Sequence, residues 1–185
     1  MEDYRINTNY AKALFLLASE LHILEAVAGD MRLVNNVCSE NRELNVVFKN
    51  PVIKVDRKVN IVNELFSDKI SNTSLTFLFF VIRKNRSVNL RGISDAFVDM
   101  YRKNNNIILT EVLSSSELDA QSIQIIRQLV GDFTKKQVEL VTSVDNNMIG
   151  GFKMEFDNNL YDATIDAKLA KLRKEFGANK YECKL

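Results

Sequence analysis

The chain has 185 residues, 46% apolar and 26% charged, ordinary values for a folded protein able to bury a real core. Its net charge is +1, with 15 Lys/Arg against 12 Asp/Glu over 1–105 and 10 against 12 over 106–185. Neither half carries the basic excess that grips a phosphate backbone, so nucleic acid is excluded as the leading partner.

The opening "MEDYRINTNY" is polar, lacks the apolar stretch of a signal peptide, and favours a bacterial protein on the cytoplasmic side of the inner membrane. "NYAKALFLLASELHILEAVAGDM" follows, a helical run with an Asn-rich start suited to capping. "MRLVNNVCSENRELNVVFKN" gives a second helix and a short piece. Pro51 is the only proline and suits a first helical turn. After it Val52, Val55, Val59, Val62 and Leu65 or Phe66 recur at three- and four-residue spacing, one face of a helix. Ser71 to Ser74 signals the next start, before "LTFLFFVIRKNRSVNL". The apolar run Leu75 to Ile82 is far shorter than the roughly 20 residues a membrane-spanning helix needs. "ISDAFVDMYRKNNN" closes the helical half with Ile93, Phe97, Met100 and Tyr101, and the run Asn104–Asn106 ends it.

The pattern then changes. "IILTEVLSSS" reads as a strand. "ELDAQSIQIIRQLVGDF" is an amphipathic helix with Ile123, Ile126, Leu129, Val130 and Phe133 on one side. "QVELVTSV" alternates Val138, Leu140 and Thr142. Phe152, Met154 and Phe156 alternate with Lys153 and Glu155, then Asp157-Asn158-Asn159 turns the chain. Leu160 to Ile165 returns as a second strand, and "DAKLAKLRKEF" is a closing helix. The expected fold is α+β: an N-terminal six-helix bundle over 1–105, then a small sheet-and-helix domain over 106–185.

Gly150-Gly151 is the only Gly-Gly pair. A phosphate-binding loop needs GxxxxGK[ST] and a following helix. Here no Ser or Thr follows Lys153 and the next stretch reads as a strand. The pair therefore reads as structural, a bulge or close backbone approach where the hairpin begins.

The stretch "VELVTSVDNNMIGGFKMEFDNNLYDATIDAKLAKL" resembles the C-terminal signature of the delta subunit of F-type rotary ATP synthase. Its mitochondrial counterpart is the oligomycin sensitivity-conferring protein. The matching features are the strand Val138–Leu140, the pair Val144-Asp145, apolar Met148-Ile149, Gly150-Gly151, and Leu160-Tyr161-Asp162-Ala163-Thr164 as the returning strand. "YAKALF", "NPVIKVDRKVNIVNELF" and "FFVIRKNRSVNLRGISDAFVDMY" are similar to the family's N-terminal half. Asp157 stands where the family's turn often has glycine, and Asp166 where a basic residue is common.

The resemblance implies a non-catalytic stator subunit, present once per complex, peripheral to the membrane and without a cofactor. The helical domain would grip N-terminal helices of the alpha subunits, and the C-terminal domain would meet the C-terminal end of the b subunits. The joint would hold the catalytic head still against the rotor of a proton-driven (or sodium-driven) machine. Two readings compete: a helical adaptor of an unrelated complex, and a small enzyme using Asp or Lys in a hidden cleft.

Other residues carry little chemistry. His22 is the only histidine and has no second ligand at metal spacing. Cys38 and Cys183 form no CxxC, which leaves no zinc site and fits a reducing compartment. The pairs Asp95/Asp99 and Asp162/Asp166 read as solvated faces. Arg83, Lys84, Arg86 and Arg91 suit a helix C-terminus, with an acidic protein partner as their target. The informative feature is two helices apolar almost all round, around Tyr10–Ala18 and Leu75–Ile82. A bundle of about 100 residues cannot surround both. Tyr10, Leu14 and Leu17 are expected on one wall of an open groove, with Phe77, Val81 and Lys84 on the other. An amphipathic partner helix fits such a groove. Burying about 500 Å² of apolar area would gross roughly 12 kcal/mol, from which association costs subtract.

Overall fold

The first helix, α1 (Glu2–Glu20), ends without a glycine or a proline. Ile23 N donates to Ala18 O at 2.9 Å and His22 N to Ser19 O at 3.2 Å. This double closure is a Schellman motif, with His22 at the left-handed position, φ 55°. The single run expected from Asn9 to Met31 is therefore two helices: α1, which begins well before the Asn-rich stretch, and α2 (Leu24–Glu40). The computed structural model describes residues 2–157 and 159–178. Cys183, and Asn158 of the expected turn, lie outside them.

The helical series continues with α3 (Arg42–Lys49), α4 (Val55–Phe66), α5 (Asn72–Arg83), a 3-10 turn (Ser87–Asn89) and α6 (Leu90–Asn104). Pro51 does not open α4. The Asn50 side chain accepts a hydrogen bond from Val52 N at 2.9 Å and holds a turn there, leaving Val52 85% exposed. Phe66 is buried, and Leu65 is not. Ser71 caps α5 by accepting from Ser74 N at 3.4 Å. Asp30 of α2 takes three further bonds there, from Ser71 N at 3.0 Å and from both serine hydroxyls at 2.6 Å. The α5 start is thus tied to α2. Helix α6 packs on α1 and α2. Its Leu90, Ile93 and Phe97 join Ala11, Leu14 and Ala18 of α1 and Val27, Met31 and Val34 of α2 in one buried core.

The second half forms β1 (Ile107–Ser114), α7 (Ala120–Thr134), β2 (Gln137–Val144), β3 (Phe152–Phe156), β4 (Asn159–Asp162) and α8 (Ile165–Ala178). The sheet order is β2-β1-β3-β4. β1 and β2 run parallel, with α7 as their crossover, while β3 and β4 add antiparallel. The register sets Thr110 opposite Leu140 and Val112 opposite Met154. One face, carrying Ile108, Val112, Met154 and Phe156, shares a core with Ile126 and Val130 of α7. The α7 stripe is narrower than expected, because Leu129 and Phe133 remain 48% and 72% exposed. The returning strand stops at Asp162 rather than running to Ile165. Its carboxylate accepts from Thr164 N at 3.0 Å, and the Thr164 hydroxyl accepts from Ala167 N at 3.1 Å, so the chain turns directly into α8.

The fold is α+β, mostly helical with one four-stranded sheet. By contacts the chain divides into two units, Met1–Asn105 and Asn106–Leu185.

Candidate partner-binding site

Helix α1 buries Ala11, Leu14 and Ala18, a stripe at three- and four-residue spacing. Helix α5 buries Ser74, Leu78, Val81 and Ile82 in the same way. Each helix carries more apolar residues than its stripe can hide. Leu16, Leu17 and Phe80 remain 59%, 43% and 48% exposed. Because α1 packs on α6 and α5 packs on α4, the two helices leave a depression between them. Its volume is about 470 Å³, and Leu17, Asn72, Thr73, Thr76, Phe77 and Phe80 line it.

The expected groove residues separate into two layers. Leu17 and Phe77 line the depression. Tyr10 stands beside it, its ring 6.2 Å from that of Phe80. Lys84 lies over the other flank, Nζ 5.7 Å from the Phe80 ring centroid, a cation–π contact. Leu14 and Val81 do not belong to this surface. They are 1% and 0% exposed and sit in the core beneath it. Sequence reasoning missed Phe80, Thr73 and Thr76. Phe80 stood in the apolar run but one residue off the face chosen, and the two threonines carry no apolar signal.

The second unit carries its own uncovered apolar surface. On α8, Ile165, Leu169, Leu172 and Phe176 repeat at spacings of four, three and four and are 41%, 42%, 47% and 75% exposed. That spacing puts the four on one apolar stripe, at the a and d positions of a heptad. Gly150 and Gly151 anchor the start of this helix. Gly151 has φ +88°, and a Cβ on it would stand 2.5 Å from Ala163 O. Gly150 O accepts from Ile165 N at 3.0 Å, and Phe152 O from Ala163 N at 2.9 Å. The pair lets the loop and the β4–α8 link approach backbone to backbone. The Asp162 carboxyl is held below its usual range by hydrogen bonds from Thr164, with Lys153 adding a smaller effect at 3.8 Å.

Burial pushes the Cys38 thiol up to about 11, which keeps it protonated and inert at neutral pH. His22 sits in the α1–α2 turn. Asp95 accepts from Asn35 Nδ2 at 2.6 Å, and Asp99 pairs with Arg102 at 3.3 Å. Asp162 ends a strand and Asp166 begins a helix, so those two do not share a helical face. Among the described residues no group of His, Cys, Asp or Glu is arranged to hold a metal ion.

Two units that each present an uncovered apolar helix surface have the features of an assembly subunit. Comparison with known proteins narrows the class. Residues 6–176 match the family model described as ATP synthase delta (OSCP) subunit, and the chain belongs to that family. It is 30% identical over 176 residues to the ATP synthase subunit delta of Cytophaga hutchinsonii, covering 95% of this chain and 96% of the relative. It is 31% identical over 168 residues to the subunit delta of Prochlorococcus marinus strain MIT 9301, covering 90% and 93%. A chain of the cryo-EM structure of the Toxoplasma gondii mitochondrial ATP synthase hexamer shares the fold. Its TM-score is 0.71 at 21% identity, over 93% of this chain and 97% of that one. The protein is therefore a non-catalytic stator subunit of the ATP synthase peripheral stalk, which removes the unrelated adaptor and the small enzyme as alternatives.

Proposed function

We propose that the depression between α1 and α5 receives an N-terminal helix of an ATP synthase alpha subunit, and that unit 2 meets the C-terminal end of a b subunit through α8. In this reading helices α1–α6 act as the six-helix bundle of 1–105 that caps the catalytic head. The domain of 106–185 carries the load to the stalk, and one copy serves each complex. The subunit resists torque from a proton-driven rotor on the cytoplasmic face of a bacterial inner membrane, held there only through its partners. In keeping with that, no helix among the described residues is long and apolar enough to cross a membrane.

The observation that carries the reading is the pairing of Leu17 and Phe80, both over 40% exposed, across one apolar depression. The coiled-coil spacing of the α8 stripe supports the stalk contact, because seams of that kind pair with another helix. A load-bearing joint also needs apolar area, since exposed ion pairs contribute only about 0–1 kcal/mol each.

Reconstitution tests both contacts. A catalytic head depleted of this subunit should rebind the wild-type chain. The Leu17→Asp/Phe80→Asp variant should lose head binding and keep b binding, and Leu169→Asp/Leu172→Asp should do the reverse. Retention of head binding by the first variant would overturn the groove assignment.

A further inference from the structure

A second cavity in unit 1 has a different lining. It encloses about 300 Å³ beside α3, α4 and the end of α5, and three of its lining residues are Lys49, Lys54 and Lys58. No carboxylate lines it. None of the three lysines has a carboxylate within ion-pair distance among the described residues.

Lys58 is the unusual member, at 7% exposure. Its Nζ donates to Phe48 O at 2.8 Å and to Ser87 Oγ at 3.1 Å. The Ser87 hydroxyl in turn donates to Phe48 O at 2.8 Å. Both acceptors are neutral. Phe48 O lies in the last turn of α3, whose partial negative charge offsets part of the ammonium. An ammonium has three N–H donors, so one is left without a protein acceptor. Burial lowers the Lys58 pKa, as expected of a cation with no counter-ion nearby. The first turn of α4 adds to the same field, because Val55 lines the cavity and no side chain caps that end at Lys54.

A lysine that only fastened α4 to α3 would need its two bonds and nothing more. It would not need two further lysines around an open space walled by Ile82 and Val88. We propose that this cavity binds a small organic anion, with a carboxylate or phosphate group on Lys58 and an apolar body against Ile82 and Val88. The volume sits at the low end for ligand sites and limits the occupant to a compact molecule. This assignment is independent of the α1–α5 groove.

The test is isothermal titration of the full chain with sodium butyrate and, in parallel, inorganic phosphate, against sodium chloride at matched ionic strength. Saturable one-to-one binding of either probe is expected, and the probe that binds identifies the headgroup. Lys58→Met should weaken it at least tenfold. Val88→Trp, a change at a half-exposed wall position that fills the space and spares Lys58, should do the same and covers the case in which Lys58→Met fails to fold. Heat from neither probe beyond the chloride control would overturn the proposal, as would undiminished binding by Val88→Trp.

Discussion

Leu14 and Leu17 are three residues apart on α1, yet one belongs to the core and the other to the surface. Replacing the buried Leu14 with alanine should cost about 2–5 kcal/mol, through lost burial and a residual cavity. Replacing Leu17, which is 43% exposed, should stay within about 1 kcal/mol. Chemical denaturation of the two variants checks the contrast. Val81→Asp would place a carboxylate in the core and unfold the unit, so it cannot separate folding from docking. The glycines offer a second contrast. At Gly151 the positive φ and the nearby Ala163 carbonyl make alanine destabilising by at least about 2 kcal/mol. At Gly29, in α2, a Cβ meets nothing within 4 Å, and alanine should stabilise by about 0.5–1 kcal/mol. Melting midpoints should therefore move in opposite directions.

At the scale of elements, side-chain hydrogen bonds fix where the helices of unit 2 begin. Asp119 accepts from Ser122 N at 3.1 Å at the start of α7, and hydrogen bonds from Ser122 hold its carboxyl below the usual range. Asp162 is lowered by Thr164 before α8. A carboxyl whose folded pKa lies below its unfolded value stabilises the fold above the unfolded value, about 4. That contribution is lost as pH falls through the folded pKa. Thermal stability should therefore drop below pH of about 4, and Asp119→Asn/Asp162→Asn should flatten the dependence while keeping the Asp119 cap and the Asp162 turn, since asparagine serves in both roles. Melts across the acid range measure this. An equally steep acid loss in the double variant would count against it.

The same caps explain which elements could be read from sequence. The Ser71 start of α5 and the alternation Phe152-Met154-Phe156 were legible because hydroxyl capping and strand period leave local marks. The α1–α2 break was not, because His22 takes a left-handed conformation without being glycine or asparagine. The end of β4 was hidden too, since Asp162 and Thr164 stop a strand by bonds that composition does not announce. Periodicity named the two helices, α1 and α5, that border the depression. It chose Leu14 and Val81 wrongly, because packing on α6 and α4, not the pattern itself, decides which apolar side turns inward.

At the scale of the molecule, each unit owns a separate core and leaves an apolar helix surface uncovered: Leu17 and Phe80 in one, the α8 stripe in the other. In the proposed reading one surface meets the catalytic head and the other meets the peripheral stalk. The most direct measurement is calorimetric titration of the chain with a synthetic peptide from the N-terminus of the alpha subunit, with circular dichroism recorded alongside. The account predicts saturable binding, a gain in helix on mixing, and at least tenfold weaker binding by Leu17→Ala/Phe80→Ala, with the variant still folded by its own circular dichroism. No binding at peptide concentrations of hundreds of micromolar, or equal binding by the double variant, would contradict it.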